Sequence, residues 1–187
     1  MMKHLGTRSM ETSRLILRPF VLEDARAMYD HWASDDQVTK YLSWPTHENM
    51  DISQMVLSDW VSHYEDERYY QWAIVAKDLG QPIGSIAAVH VNERVGKVEI
   101  GYCIGRPWWH RGVMTEALSA VIDYFLNEVG ANRVEACHDP RNPHSGAVMA
   151  KCGMNFEGIQ RQAGINNQGL CDLSWYAILA SDRGGAK

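Results

Sequence analysis

Short stretches of the chain alternate apolar and polar residues, and this period of two predicts β-strands. In residues 14–20, Leu15 and Leu17 fall on one face of the strand, and Pro19 marks its edge or its end. The stretches 71–77 and 83–91 flank the glycine-containing turn DLGQP and predict a hairpin. The complete set of predicted strands is 14–20, 71–77, 83–91, 97–104, 133–139, 155–161 and 172–179.

Other stretches place apolar residues three or four positions apart, which is the spacing of one face of an α-helix. The predicted helices cover residues 22–33, 50–66, 113–129 and 143–152. Gly130 stands where a C-terminal cap belongs, and Asn142 is the expected N-terminal cap of the last helix, with Pro143 at its first position. Helices that alternate only in part with strands predict a mixed α/β sheet.

Length and charge limit what the chain can be. We find no linker or internal repeat, so we expect one domain over residues 1–187, with an ordered core at about 12–181. The net charge of −5 comes from scattered charges, which argues against an electrostatic grip on nucleic acid. No run of residues has the length of a membrane span or the form of a signal peptide, so we expect a cytoplasmic protein without a membrane partner.

The cysteine pattern gives no sign of a metal site. Four cysteines are present, and none forms a C-x-x-C pair or lies beside histidines at metal-binding spacing. We therefore expect reduced thiols and no bound metal.

The sequence EIGYCIGRPWWHRGVMTEAL (residues 99–118) runs from a predicted strand into a predicted helix. Backbone N–H groups at the start of a helix have no partner within the helix and carry a partial positive charge. Arg111 adds a cation, Gly112 permits a close approach of the backbone, and Thr115 offers a hydroxyl. This combination indicates a phosphate-binding turn, although many helices that bind no anion also begin with a glycine and a cation. The Walker A and G-x-G-x-x-G patterns are absent.

Three segments together resemble the GNAT acetyltransferases. Residues 109–114 follow the register of the family's acetyl-CoA loop, Gln/Arg-x-x-Gly-x-Gly/Ala, with Trp109 at the first position and Met114 at the last. With tryptophan at the first position, the loop resembles that of the branch that acetylates the N-terminal residues of ribosomal proteins. The segment DPRNPHSGAVMAKCGM resembles the family pattern that begins Asn-x-x-Ser, and residues 12–45 resemble the opening strand and helices of that branch. The resemblance covers residues 12–180.

The resemblance implies a GNAT fold of the α/β (α+β) class. Its central sheet is mixed and mostly antiparallel, with about six to seven strands and about four helices, and the strand at 98–104 splays away from the strand at 133–139. The pantetheine arm of acetyl-CoA would occupy that gap, and the diphosphate would rest on the amides of residues 110–115. The implied cofactor contacts are Cys103, Ile104, Trp109, His110, Arg111, Gly112, Val113, Met114, Thr115, Asn142 and Ser145.

Two residues are candidates for proton transfer during acetylation of an amine. Glu99 lies on the strand that leads to the reaction centre and is the candidate base, directly or through a water; the alternative is a solvated glutamate paired with a lysine such as Lys97. By the resemblance, Ser145 is the candidate proton donor to the sulfur of coenzyme A, and the alternative is a serine that satisfies backbone groups at its helix end. His138 is either a base or part of a turn.

Tyr41 and Trp44 precede the helix at 50–66 and are the predicted lining of the acceptor pocket. The resemblance implies an N-acetyltransferase that brings acetyl-CoA and a primary amine together in a ternary complex. The amine is either the N-terminal α-amine of a ribosomal protein or a small molecule such as an antibiotic, an amino acid or a polyamine. A non-catalytic acyl-CoA-binding sensor on the same fold is the other alternative, and a homodimer is expected.

Overall fold

The computed structural model describes residues 2–183, which form one eight-stranded sheet flanked by helices. The strands are β1 (Met10–Glu11), β2 (Leu15–Pro19), β3 (Gln71–Ala76), β4 (Gln81–Asn92), β5 (Lys97–Ile104), β6 (Arg133–His138), β7 (Asn155–Asn166) and β8 (Gly169–Leu179). Their order across the sheet is β1-β2-β3-β4-β5-β6-β8-β7. Neighbouring strands run antiparallel except for the parallel pair β5 and β6.

Six α-helices occur in the described part of the chain. They are α1 (Ala25–Met28), α2 (Asp36–Thr39), α3 (Met50–Ser62), α4 (Val113–Asp123), α5 (Pro143–Lys151) and α6 (Ala180–Arg183). A π-helical segment at Tyr124–Val129 continues α4, and Gly130 ends it with a positive φ of 76°. None of the helices in residues 2–183 combines the length and the apolar character that a bilayer crossing requires.

The predicted mixed, mostly antiparallel sheet is confirmed, and the differences lie in elements that carry no periodic signal. β1 has two residues, and α2 and α6 have four each, which is shorter than one repeat of a recognisable pattern. The hairpin of β7 and β8 extends several residues beyond the prediction. Residues 160–163 are all exposed, so the apolar alternation that marks a half-buried strand is missing there.

The sheet separates two apolar layers, and alternation along β5 contributes to both. Val98 and Ile100 are buried on the side of α4 and α5, where they pack in a cluster that includes Leu118. Cys103 is buried on the other side, in a cluster with Trp32 from the segment after α1. Residues of β5 at even and odd positions therefore face different layers.

A gap opens between β5 and β6. The two strands pair only through Lys97 with Arg133, Val98 with Val134, and Glu99 with Glu135. Beyond these three pairs, β5 remains hydrogen-bonded to β4 as far as Ile104, and β6 remains bonded to β8 as far as His138. The predicted splay of these strands is confirmed, and it leaves strand edges that no other strand of residues 2–183 pairs with.

The segment before β1 packs against the rest of the protein. Met2 is buried, the amide of Lys3 donates to the carbonyl of Val129 at 2.8 Å, and the hydroxyl of Tyr124 donates to the carbonyl of Gly6 at 2.7 Å. The loose C-terminus expected from the sequence falls largely on residues 184–187, which lie outside the described residues. The single-domain organisation stays a prediction.

Candidate active site

The chain between β5 and α4 forms the predicted cofactor loop. A 3-10 turn covers Arg106–Trp108, and α4 begins at Val113. His110 and Gly112 have positive φ angles of 59° and 71°. Glycine adopts such angles without strain because it has no Cβ, whereas a histidine at a positive φ stores strain of the kind found in ligand-binding loops.

The amides of this loop are free to bind a ligand. From His110 to Thr115, no backbone amide donates a hydrogen bond to another described residue. The first hydrogen bond of α4 runs from the amide of Glu116 to the carbonyl of Gly112, at 3.1 Å. Residues 109–112 are exposed, so solvent or a ligand reaches this part of the loop. Unpaired amides at a helix N-terminus, reinforced by the helix dipole, form an anion-binding site.

Other predicted cofactor residues are more restricted than the sequence implied. The indole Nε1 of Trp109 donates to the carbonyl of Ile104 at 2.8 Å, so this carbonyl already has a partner. Cys103, Val113 and Met114 are buried, which leaves only their backbone groups for a ligand.

Asn142 stands at the N-cap position of α5, as predicted, but its side chain accepts no hydrogen bond from the helix. Its backbone angles (φ −110°, ψ 71°) fall outside the extended region in which a capping side chain folds back onto the first turn. The amide side chain of Asn142 is therefore not occupied by capping.

Glu99 is the last residue of β5 that pairs with β6 before the gap opens. The expected alternative, a pair with Lys97, is not formed, because Lys97 Nζ lies 2.6 Å from Glu135 Oε1 instead. The thiol of Cys137 is the hydrogen-bond partner of Glu99 among the described residues, with Sγ 3.9 Å from Oε1. Glu99 is half-buried at the start of the gap and forms no salt bridge within residues 2–183.

The surroundings of Glu99 favour its protonated form. Burial raises the pKa of the Glu99 carboxyl above its usual value, the negative charge of Glu135 acts in the same direction, and His90 and Lys97 oppose both. Glu135 is buried and forms salt bridges with two cations, Lys97 at 2.6 Å and Arg133 at 2.7 Å. A carboxylate with a raised pKa is a stronger base once ionised.

Ser145 contacts a residue that sequence reasoning missed. The hydroxyl oxygen of Tyr102 lies 3.0 Å from both the carbonyl oxygen and Oγ of Ser145. The carbonyl can only accept, so the phenol donates to it and the Ser145 hydroxyl donates to the phenol oxygen. Burial raises the pKa of Tyr102, which keeps the phenol protonated. The sequence did hold a signal for this contact: a buried tyrosine on a strand needs a hydrogen-bond partner for its hydroxyl.

His138 faces the layer opposite to Glu99. Its side chain lies on the same face of β6 as Ala136, which packs in the cluster on the side of α4 and α5, whereas Glu99 and Cys137 share the other face. Its Nδ1 lies 2.8 Å from the carbonyl oxygen of Asp139, and a Cβ at Gly146 would lie 2.5 Å from Nε2. The structure thus places His138 at the turn after β6, packed against α5.

The predicted acceptor residues Tyr41 and Trp44 lie between α2 and α3, in a loop that the tip of the β7–β8 hairpin holds. The amide of Asn167 donates to the carbonyl of Leu42 at 3.1 Å. The Asn167 side-chain Nδ2 donates to the carbonyls of Thr39 and Trp44, both at 2.8 Å. Sequence reasoning missed Asn167, because its partners lie more than a hundred positions away in the chain.

Comparison with known proteins identifies the family. The family described as acetyltransferase (GNAT) domain matches residues 14–155, which is most of the chain. The chain belongs to the GNAT acetyltransferase family. It is therefore an acetyl-CoA-dependent N-acetyltransferase. The six unpaired amides of the cofactor loop, from His110 to Thr115, fit the diphosphate of acetyl-CoA. The gap between β5 and β6 provides strand edges for the amide groups of its pantetheine arm.

Relatives with known names are similar over most of their length. The uncharacterized N-acetyltransferase YoaA of Bacillus subtilis is 29% identical over 170 residues, covering 91% of this chain and 96% of YoaA. The [ribosomal protein uS5]-alanine N-acetyltransferase of Escherichia coli is 28% identical over 163 residues, covering 81% of this chain and 80% of that protein. A GNAT-family acetyltransferase structure from Bacillus anthracis has the same fold, with a TM-score of 0.81 and 22% identity over 93% of this chain and 99% of that one.

Proposed function

We propose that this GNAT enzyme acetylates a primary amine by direct attack, with Glu99 as the base. The observation that carries the proposal is the position of the Glu99 carboxylate at the start of the gap, without a salt bridge in residues 2–183, because Lys97 pairs with Glu135 instead. An amine bound as an ammonium ion has no lone pair and must lose a proton before it attacks. Glu99 accepts that proton directly or through one water, and the raised pKa of its carboxyl makes it a better acceptor.

Acetyl-CoA supplies an acetyl thioester, so the new nitrogen–carbon bond replaces a carbon–sulfur bond and leaves a thiolate. Ser145 is the proposed donor to that thiolate. A serine hydroxyl is far less acidic than a thiol of pKa about 8.5, so a hydrogen bond from Ser145 stabilises the leaving group without full loss of its own proton. Rotation of the hydroxyl away from the Tyr102 oxygen makes this donor available, while the phenol keeps its bond to the Ser145 carbonyl.

The proposed cofactor site combines the two features of the gap. The amides of residues 110–115 hold the diphosphate, and the backbone of β5 near Cys103 pairs with the pantetheine arm. The Asn142 side chain, which caps nothing, is a further donor or acceptor for that arm. The buried side chains of Cys103 and Met114 take no direct part.

The proposed acceptor is the N-terminal α-amine of a protein, bound beside Tyr41 and Trp44. Support comes from the relatives, one of which is named for acetylating an alanine of ribosomal protein uS5. Acetylation of a small-molecule amine is the competing outcome, and so is a sensor that binds acyl-CoA without transfer. We also expect a cytoplasmic homodimer. Light scattering on the purified protein measures its molar mass and so tests the oligomeric state.

A thiol-release assay separates these possibilities. Purified protein and acetyl-CoA are incubated with peptides carrying free N-termini, and in parallel with aminoglycosides, amino acids and polyamines. We expect release of coenzyme A that depends on a peptide and falls by about 100-fold or more in Glu99→Gln. Glu128→Gln, which changes an exposed carboxylate after α4, is the matched control and keeps full activity.

Each other outcome has a definite meaning. If coenzyme A is released only with a small amine, that small amine is the acceptor and the proposed protein N-terminus is not. If the protein binds coenzyme A tightly but no amine causes thiol release, the sensor is favoured. Full activity of Glu99→Gln removes Glu99 as the base.

A further inference from the structure

Arg14, just before β2, reaches the cofactor loop from a distant part of the sequence. Its Nη1 donates to the carbonyl of Arg111 at 2.9 Å, across 97 positions of the chain. Its Nε donates to Glu116 Oε2 at 2.7 Å, and its backbone amide donates to Glu116 Oε1 at 2.8 Å. The hydroxyl of Thr12 also donates to Glu116 Oε1, at 2.6 Å. Glu116, in the first turn of α4, thus holds the guanidinium in place against the loop.

The bond to the Arg111 carbonyl determines where the next amide points. The described residues contain no cis peptide bonds, so the peptide between Arg111 and Gly112 is trans. In a trans peptide the carbonyl and the following N–H point in opposite directions. Because Arg14 fixes the Arg111 carbonyl on its own side of the loop, the N–H of Gly112 is turned to the opposite side, and it is one of the six amides without a partner.

This geometry is not explained by a contribution to global stability. The Arg14 side chain is half exposed, and an exposed ion pair contributes little to the stability of a fold. Arg14 Nη2 also lies 3.7 Å from the position of a Cβ at Gly112, so the guanidinium lies directly beside the loop, with Glu116 as its counter-ion.

We propose that Arg14, held by Glu116, is a positioning residue that sets the amides of the cofactor loop for the diphosphate of coenzyme A. The proposal rests on the proposed cofactor site at residues 110–115. It assigns to the segment before β2 a role in binding the cofactor, although no residue of that segment belongs to the loop. Two properties of the guanidinium are required: its charge, and its fork, which reaches Arg111 and Glu116 together.

Calorimetric titration with coenzyme A tests the proposal without an acceptor. Arg14→Ala is expected to weaken binding about tenfold, the equivalent of one hydrogen bond from a charged group. Arg14→Lys keeps the charge but cannot hold both partners, and we expect it to restore less than half of that loss. Arg26→Ala is the matched control, because Arg26 is an exposed arginine in an ion pair with Asp30, on α1.

A second measurement distinguishes positioning from general damage. Pantetheine has no diphosphate, and in competition with coenzyme A its affinity is expected to stay within about twofold of wild type in Arg14→Ala. Unchanged binding of coenzyme A to Arg14→Ala, or equal losses for pantetheine and coenzyme A, overturns the proposal. Full rescue by Arg14→Lys would reduce the role to charge alone and also overturns positioning. Failure of the wild-type protein to bind coenzyme A is a different result, because it overturns the proposed cofactor site itself.

Discussion

Replacing Gly112 by alanine isolates the backbone conformation that the cofactor loop requires. A Cβ at this position would lie 3.7 Å from Arg14 Nη2, which is an ordinary van der Waals contact, so no clash accompanies the change. What remains is the positive φ of 71°. An L-residue held in the left-handed region costs about 1–2 kcal/mol relative to its relaxed conformation.

This strain must be detectable in one of two quantities. If the loop keeps its conformation in the variant, the free energy of unfolding falls by about 1–2 kcal/mol, and Tm falls by roughly 2–8 °C for a chain of this size. If the free loop relaxes, stability is retained, but coenzyme A must restore the strained conformation and binds roughly 5- to 30-fold more weakly. The two losses come from the same strain, so together they amount to about 1–2 kcal/mol.

Gly130→Ala is the matched control. Gly130 has a φ of 76° at the end of the helical segment that follows the loop, and nothing lies within 4 Å of its Cβ position. The same strain there lowers Tm and leaves the Kd for coenzyme A unchanged. Thermal unfolding and calorimetric titration of both variants provide the data. The reasoning is refuted if Gly112→Ala changes neither quantity, or if both variants weaken coenzyme A equally.

Three further predictions concern the reaction centre and the acceptor loop. Glu99 acts as a base only when it is ionised, so activity falls as the pH drops below the pKa of its carboxyl. Glu135→Gln removes a negative charge that raises this pKa, and the acidic limb of the kcat/KM profile should therefore move to lower pH. A limb that stays or moves upward contradicts this. Tyr102→Phe removes the hydrogen bonds between the phenol and Ser145 and should lower the free energy of unfolding by about 1 kcal/mol in urea titration. An unchanged midpoint would show the bond to be absent in solution. Asn167→Ala removes the two side-chain hydrogen bonds to the loop that carries Tyr41 and Trp44, and it should raise the acceptor KM about tenfold with an unchanged Kd for coenzyme A. A change in Kd alone would contradict this role.

Local patterns were sufficient for seven of the eight strands and for the turn between β5 and α4, whereas the mostly antiparallel pairing of the strands was an expectation from the family resemblance. The strand β5 and the helix α4 both carry clear periodicity, and Gly112 between them requires a turn, so the cofactor loop follows from residues that are neighbours in the sequence. The splay of β5 and β6 is different, because nothing in either strand specifies that pairing stops after Glu99. That expectation came from the family resemblance.

Contacts between distant residues could not be obtained in this way. A pair of Lys97 with Glu99, two positions away on the same face of the strand, was one alternative. Lys97 instead pairs with Glu135 on the adjacent strand, whose carboxylate is more deeply buried and therefore has a greater need of compensating charge. The contact of Arg14 could not be predicted either, because its acceptor, the carbonyl of Arg111, is a backbone group that leaves no signature in the sequence. Side-chain type indicates that a partner is needed, and only the fold determines which one is within reach.

The central claim is that the amides of residues 110–115 and the adjoining gap bind the cofactor. Titration of the isotope-labelled protein with coenzyme A, followed through its backbone amide resonances, tests this most directly. We predict one binding event in which the amides from His110 to Thr115, together with those of β5 beyond Glu99, show the largest shifts. Saturation with coenzyme A that leaves these resonances in place, while others move, would contradict the account.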